Sequence, residues 1–199
     1  MNFKPVTLEG RHVRLEPLSM AHLPDLCDAG LDPELWRWTP RIVRTPEEMR
    51  SYVETVLRLQ QQGSALPFTT IDRKSGVAVG CTRYMNIEPE HHRLEIGGTW
   101  LARPWQKTPF NTEAKYLMLQ HAFETLGCIR VEFKTDLLND QSRAALLRIG
   151  ALQEGVFRHH MLTHTRRIRH TVYFRILNFE WPQIKTQLEE KLQRPFNHT

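Results

Sequence analysis

Apolar and polar positions alternate over residues 6–18, VTLEGRHVRLEPL, in two short runs separated by Gly10, the pattern of extended chain folded at a turn. The period then lengthens. Met20, Leu23, Leu26 and Cys27 recur at helical spacing behind Ser19, a suitable cap, with Gly30 in the position of a stop signal. Thr45-Pro46-Glu47-Glu48 is the clearest helix start: Thr45 as N-cap, Pro46 at the first helical position and Glu48 completing a capping box. Met49, Tyr52, Val53, Val56 and Leu57 supply its apolar face, and Gly63 ends it.

Residues 65–87 predict two strands joined by the polar turn Arg73-Lys74-Ser75-Gly76. A third, RLEIGGTWL (93–101), is interrupted by Gly97-Gly98, the mark of a bulge or a close backbone approach. Helical spacing resumes over about 108–126, with Ala114, Leu117, Met118, His121 and Ala122 on one stripe and Gly127 behind it. Strand (128–136), short helix (137–151, closing at Gly150), two long strand-like runs (152–162 and 169–179) and a polar helix (180–192) complete the order. With no repeat and no linker long enough to separate domains, the pattern predicts a single domain over 1–199, a mixed α/β layer around one sheet.

Composition narrows the class. At 199 residues, 40% hydrophobic and 25% charged, the chain can bury one sizeable core. No apolar run nears the ~20 residues that span a bilayer, and MNFKPVTLEGRH lacks the apolar region of a secretory signal, so a cytoplasmic protein is expected. Cys27, Cys81 and Cys128 lie too far apart for a disulfide framework or a zinc spacing, and are expected as reduced, mostly buried thiols. The net charge of +5 favours anionic partners without choosing among them.

One junction carries candidate chemistry. In WLARPWQKTPFNTEAKYLML (100–119) a strand runs almost directly into a helix. The first N–H groups of such a helix have no intrahelical partner and sit at the positive end of its dipole, a ready anion site. Thr108 is a possible N-cap, Pro109 suits the first turn, and Lys107 adds a mobile cation.

EIGGTWL (95–101), Gln106 at the loop, NTEAKYLML (111–119) and NDQSRAALLRIGA (139–151), in this order and at these separations, resemble the GNAT superfamily of acyl-CoA-dependent N-acyltransferases. The likeness covers about 12–180 and is greatest to the branch of ribosomal-protein N-terminal acetyltransferases of the RimJ/RimL type. It implies a GNAT fold of α/β (α+β) class, a mixed, mostly antiparallel sheet of about seven strands flanked by helices. It also implies acetyl-CoA as acyl-donor cosubstrate and no metal. In that family the loop after the fourth strand reads Arg/Gln-x-x-Gly-x-Gly/Ala, and its backbone N–H groups hold the CoA pyrophosphate. Here it reads Gln106-Lys107-Thr108-Pro109-Phe110-Asn111, followed by Thr112. Both glycines are absent, Pro109 removes one N–H, and Asn111 brings a side chain where the family prefers little or none.

Acyl transfer to an amine requires a neutral amine, a stabilised carbonyl oxygen and a proton for the departing thiolate. The resemblance implies that the fourth and fifth strands splay, that the backbone of Thr99, Trp100 and Leu101 pairs with pantetheine, and that an N–H near Gly97-Gly98 serves as oxyanion donor. Glu95 is the candidate base, weighed against a solvent-facing strand glutamate. Asn139 and Ser142 match the family's Asn-x-x-Ser, making Asn139 a cofactor contact and Ser142 a cofactor contact and candidate general acid. Both residues also suit a helix N-cap. Tyr116 is expected to pack, and Tyr84 to line the acceptor pocket behind Ser142 in rank. The acceptor is a primary amine on a small molecule, an amino acid or a protein N-terminus. The loops before strand two and between strands six and seven set it, with Trp36 and Trp38 as one wall or as core anchors.

RHHMLTHTRRIRH (158–170) raises a metal site from His159, His160, His164 and His170, or a nucleic-acid patch from its arginines. Adjacent strand histidines point to opposite faces and no carboxylate or cysteine stands at ligand spacing, so a polar hairpin is expected, with no nucleic acid and no membrane partner. A homodimer is possible through an exposed sheet edge. The missing glycines leave the alternative of a GNAT-like protein that binds CoA without transfer, or one that prefers a longer acyl group.

Overall fold

The computed structural model describes residues 3–194; Met1, Asn2 and residues 195–199 lie outside the described residues. Eight strands are found among the described residues: β1 (Leu8–Glu9), β2 (Val13–Pro17), β3 (Ala65–Asp72), β4 (Ala78–Glu88), β5 (Arg93–Leu101), β6 (Arg130–Asp136), β7 (Leu152–Leu162) and β8 (Ile168–Leu177). They form one sheet in the order β1-β2-β3-β4-β5-β6-β8-β7. Against the expected count of about seven, the additional strand is the two-residue β1, which pairs with β2 across the Gly10 turn. Every neighbouring pair is antiparallel except β5 and β6.

The helices are α1 (Leu23–Gly30), α2 (Pro46–Gln61), α3 (Pro109–Gln120), α4 (Asp140–Arg148) and α5 (Trp181–Gln193). Thr45 caps α2 as the sequence predicts, its Oγ1 accepting the Glu48 N–H at 3.2 Å. The reciprocal arm lands one residue early, because Glu48 accepts from the Arg44 N–H at 2.6 Å. Ser19 caps a 3-10 turn, Met20–His22, that precedes α1, and Gly30 is the last residue of α1 instead of a stop beyond it. It is buried: a Cβ there would meet the side chains of Met49 and Trp100.

Apolar side chains fill both faces of the sheet. α1 and α2 cover Leu26, Trp36, Met49, Tyr52, Val53 and Trp100 on one face. α3 and α5 cover Leu15, Phe68, Tyr84, Met118, Phe133 and Phe174 on the other. Each such side chain contributes roughly 1.5–3 kcal/mol on burial.

α3 is more deeply buried than its apolar stripe suggests. Glu113 and Lys115 are 5% and 4% exposed. The Glu113 carboxylate accepts the backbone N–H groups of Arg11, His12 and Val13 at 2.7–2.8 Å, satisfying three donors at the start of β2 and tying that strand to the helix. After Gln120 the helix widens into a π turn, His121–Thr125, which Gly127 closes at φ +68°.

Two local features shape the centre of the sheet. Cys81 lies opposite Trp100 and Arg83 opposite Gly97, so β5 carries one extra residue. Gly98 absorbs it at φ +57°, as the glycine pair predicts. β5 and β6 pair only at Arg93–Arg130, Leu94–Val131 and Glu95–Glu132; beyond Glu95 they part. The hairpin of β7 and β8 is the predicted one, with the His159 and His170 rings stacked 5.3 Å apart.

Candidate active site

The parting of β5 from β6 opens a groove of about 1240 Å³. The starts of α3 and α4 line it at one end, through Lys107, Asn111, Asn139 and Ser142. The segment after α1 lines the other, through Trp36, Trp38 and Arg41. Past Glu95, the edge of β5 that faces the gap has no neighbouring strand.

At the α3 end, Thr108 is the N-cap: its Oγ1 accepts the Phe110 N–H at 3.3 Å and donates to the Trp105 carbonyl at 2.6 Å. Pro109 occupies the first helical position, where a missing N–H costs least. Lys107 is exposed and left-handed at φ +59°. Gln106 donates to the Leu101 carbonyl at 2.8 Å and accepts from Gln141 at 3.1 Å, bracing the end of β5 against α4. Asn139 caps α4 by accepting the Ser142 N–H at 3.0 Å. Two helix starts and the exposed cation of Lys107 therefore face one end of an open strand edge. This donor set fits a phosphorylated ligand followed by an extended, amide-bearing arm.

Glu95 sits where the strands part, and it is not the solvent-facing residue its strand position also allowed: it is 4% exposed. Its Oε2 accepts from Asn86 at 2.7 Å and pairs with Lys134 at 2.8 Å. Its Oε1 lies on the Gly97 side, where an added Cβ would come within 3.1 Å. Burial works against the Lys134 charge, yet Glu95's hydrogen bond and charge hold its pKa above the usual lysine value.

One groove residue escaped sequence reasoning. Lys115, one helical turn beyond Asn111, donates from Nζ to Thr82 Oγ1 at 3.0 Å and Thr99 Oγ1 at 2.6 Å. No carboxylate pairs with it among the described residues, and burial pushes its pKa down to about 7. Its place in NTEAKYLML, beside apolar positions, was the available signal.

The profile of the acetyltransferase (GNAT) domain family matches residues 12–152. The chain belongs to the GNAT family. Among solved structures, an acetyltransferase structure from T. thermophilus superposes with a TM-score of 0.87 at 40% identity, covering 96% of this chain and 100% of that one. Mycobacterium smegmatis RimJ, solved with CoA-disulfide, has a TM-score of 0.82 at 22% identity over 94% of this chain and 95% of its own, a likeness of fold alone. The ribosomal-protein-serine acetyltransferase of Escherichia coli K12 is 28% identical over 116 residues, 58% of this chain and 63% of its own. Matches to three curated relatives span 57% to 64% of their lengths. YdaF of Bacillus subtilis, named a ribosomal N-acetyltransferase, is 31% identical over 107 residues, so the similarity to ribosomal acetyltransferases extends to two of these relatives.

Within the GNAT groove the structure brings together Glu95, Thr99, Trp100, Leu101, Gln106, Lys107, Asn111, Asn139 and Ser142. Thr108, Pro109, Phe110 and Thr112 are not on its wall. Thr108 and Pro109 build the helix start, Phe110 packs on the core, and Thr112 is buried against Arg148. Tyr84 does not line the acceptor pocket either: it is fully buried, and its hydroxyl donates to the Met118 carbonyl at 2.6 Å under α3. Tyr116 packs on Trp181 and donates to Glu189, outside the groove. Trp36 serves both expected roles, buried with Nε1 on the Gly30 carbonyl and still on the groove wall. Among the described residues no three His, Cys, Asp or Glu side chains gather in a metal-binding cluster, and no helix is long and apolar enough to cross a membrane.

Proposed function

We propose that this protein moves an acetyl group from acetyl-CoA to a primary amine by direct attack. The observation that carries the reading is the one-sided end of β5: paired with β6 as far as Glu95, open beyond it, with the start of α3 at the far end. Acetyl-CoA supplies the activated acyl carbon. The open edge of β5, at Thr99 to Leu101, holds the pantetheine arm as an added strand would, while Lys107 and the α3 start hold the phosphates. Glu95 takes a proton from the incoming ammonium through Oε1, directly or through one water, while Lys134 and Asn86 fix its Oε2. As the C–N bond forms and the C–S bond breaks, a backbone N–H at the Gly97-Gly98 bulge stabilises the carbonyl oxygen, and Ser142 gives its hydroxyl proton to the thiolate while the second proton shed by the attacking nitrogen replaces it.

The acceptor is a small amine, an amino acid or a protein N-terminus; the name of the E. coli relative supports the last. The test is calorimetric titration with acetyl-CoA, repeated on Lys107→Ala and at raised salt, followed by thiol release with a panel of amines. Micromolar binding weakened in both controls, with thiol release that Glu95→Gln lowers roughly 100-fold or more, is the expected result. Binding without thiol release from any amine would instead support the reading of a CoA-binding protein without transfer. No binding would withdraw the cofactor site.

A further inference from the structure

The acceptor half of the groove contains two arginines, Arg83 half-buried and Arg169 buried, that form no ion pair among the described residues. Arg83, on β4, lies against the bulge: a Cβ on Gly98 would come within 2.9 Å of its Cζ. Its Nε is buried with no hydrogen-bond partner among the described residues. Arg169, on β8, is 8% exposed; among the described residues its guanidinium donates to neutral acceptors, Thr171 Oγ1 at 3.1 Å and the Trp38 carbonyl at 3.2 Å, and the charges of Asp136 and Glu95 act on it without a direct ion pair. Burial pulls its pKa down from the usual arginine value. The strands β4 and β8 flank β5 and β6 from outside, so the two arginines approach the gap from opposite sides. Both belong to the face covered by α1 and α2, because Arg83 shares a strand face with Cys81 and Arg169 bonds the segment after α1.

The acidic groups around them are already committed. Glu34 pairs with Arg37, Glu95 with Lys134 and Asp136 with Arg167. A guanidinium taken out of water without an anion is costly, and the cost is relieved when a carboxylate or phosphate offers paired oxygens. An ammonium arriving alone would add a third positive charge beside two that have no ion-pair partner of their own among the described residues. An amine that brings its own anion would neutralise them and place its nitrogen near Glu95.

We propose that the acceptor is a small amine carrying a carboxylate or a phosphate, which Arg83 and Arg169 hold while Glu95 takes the ammonium proton. The proposal rests on the groove being the transfer site. It makes the two arginines determinants of specificity: a site built to bind an anion discriminates against the analogue that lacks it, because its cations are then left unpaired.

The test compares matched acceptors that differ in one charge: L-alanine against L-alaninamide, and O-phosphoethanolamine against ethanolamine, by thiol release from acetyl-CoA. At least a tenfold preference in kcat/KM for one or both charged members is expected, and which pair shows it distinguishes carboxylate from phosphate. Arg83→Gln and Arg169→Gln should each raise KM for the charged member about tenfold more than for the uncharged member, so that the preference collapses. Arg83→Lys should restore part of the loss. Unchanged acetyl-CoA affinity shows that a variant is folded. The same four amines are titrated into CoA-loaded protein, so that the anion site is judged even if no thiol is released. Tighter binding of a charged member that Arg83→Gln abolishes supports the site, and a simultaneous lack of turnover then counts against transfer alone. Equal binding or equal rates within both pairs overturns the proposal, as does no binding of any of the four. A preference for an uncharged peptide amine over all of them would point to a protein N-terminus and overturn it equally.

Discussion

Lys115 sits in surroundings that oppose its charge. A buried ammonium facing two hydroxyls and no carboxylate loses more solvation than it regains, which is why its pKa falls to about 7. Between the ordinary value of 10.5 and about 7 the unfolded chain binds a proton that the folded chain does not. Stability therefore falls as pH is lowered through that window, and levels off below it, with a limiting slope of about 1.4 kcal/mol per pH unit. Lys115→Met, which keeps the stem and removes the amine, should gain on the wild type as pH drops from 10 to 7. Urea midpoints measured across that range check it; a constant difference would mean that the amine stays charged. Glu113 is the companion case, a buried carboxylate whose partners are three backbone N–H groups about a hundred residues earlier. Neither partner set is written in local sequence. Helical spacing placed both residues on α3 but could not tell which polar positions the sheet would cover, whereas Glu95 and Ser142, both on the groove wall, stood out in the sequence because their neighbours form a recognisable pattern.

At the scale of elements, the legible features were those made by adjacent residues. Thr45-Pro46 and Thr108-Pro109 start α2 and α3 as read, and Gly97-Gly98 makes the bulge. The parting of β5 from β6 was implied only by resemblance, because pairing between strands thirty residues apart leaves no local trace. The bulge yields a direct test. Gly98 combines φ +57° with the Arg83 guanidinium where a Cβ would stand. Gly98→Ala should lower stability by about 1–2 kcal/mol from backbone conformation, and should displace Arg83, reducing kcat/KM further than the fold is destabilised. Urea unfolding and steady-state kinetics on one preparation separate the two effects. At the other end of β5, Thr108→Ala removes the α3 cap and should cost about 1 kcal/mol together with some acetyl-CoA affinity, since this cap orders the helix start at which we propose the phosphates bind.

Across the whole molecule, the sheet has a core on each face and a gap that connects them, so the groove begins at two helix starts on one side and ends at a pair of arginines on the other. β5 is the element common to both halves, and its amides divide at Glu95. Those of 93–95 lie between two paired strands, while those of 97–101 that face the gap have no strand opposite. In the free protein, hydrogen exchange should be slow in the first group and fast at gap-facing positions of the second, because exchange follows local opening and exposure. Acetyl-CoA bound along the open edge should slow those positions, leave β3 almost unaffected, and raise overall stability by about 2.7 kcal/mol at a hundred times its Kd. Raising the salt should diminish the protection together with the affinity, since Lys107 and the helix starts act through charge. Stabilisation without local protection in 97–101 would place the cofactor elsewhere on the chain. Protection confined to 97–101 and the start of α3 would tie the anion site at that helix to the strand edge that leads from it to Glu95.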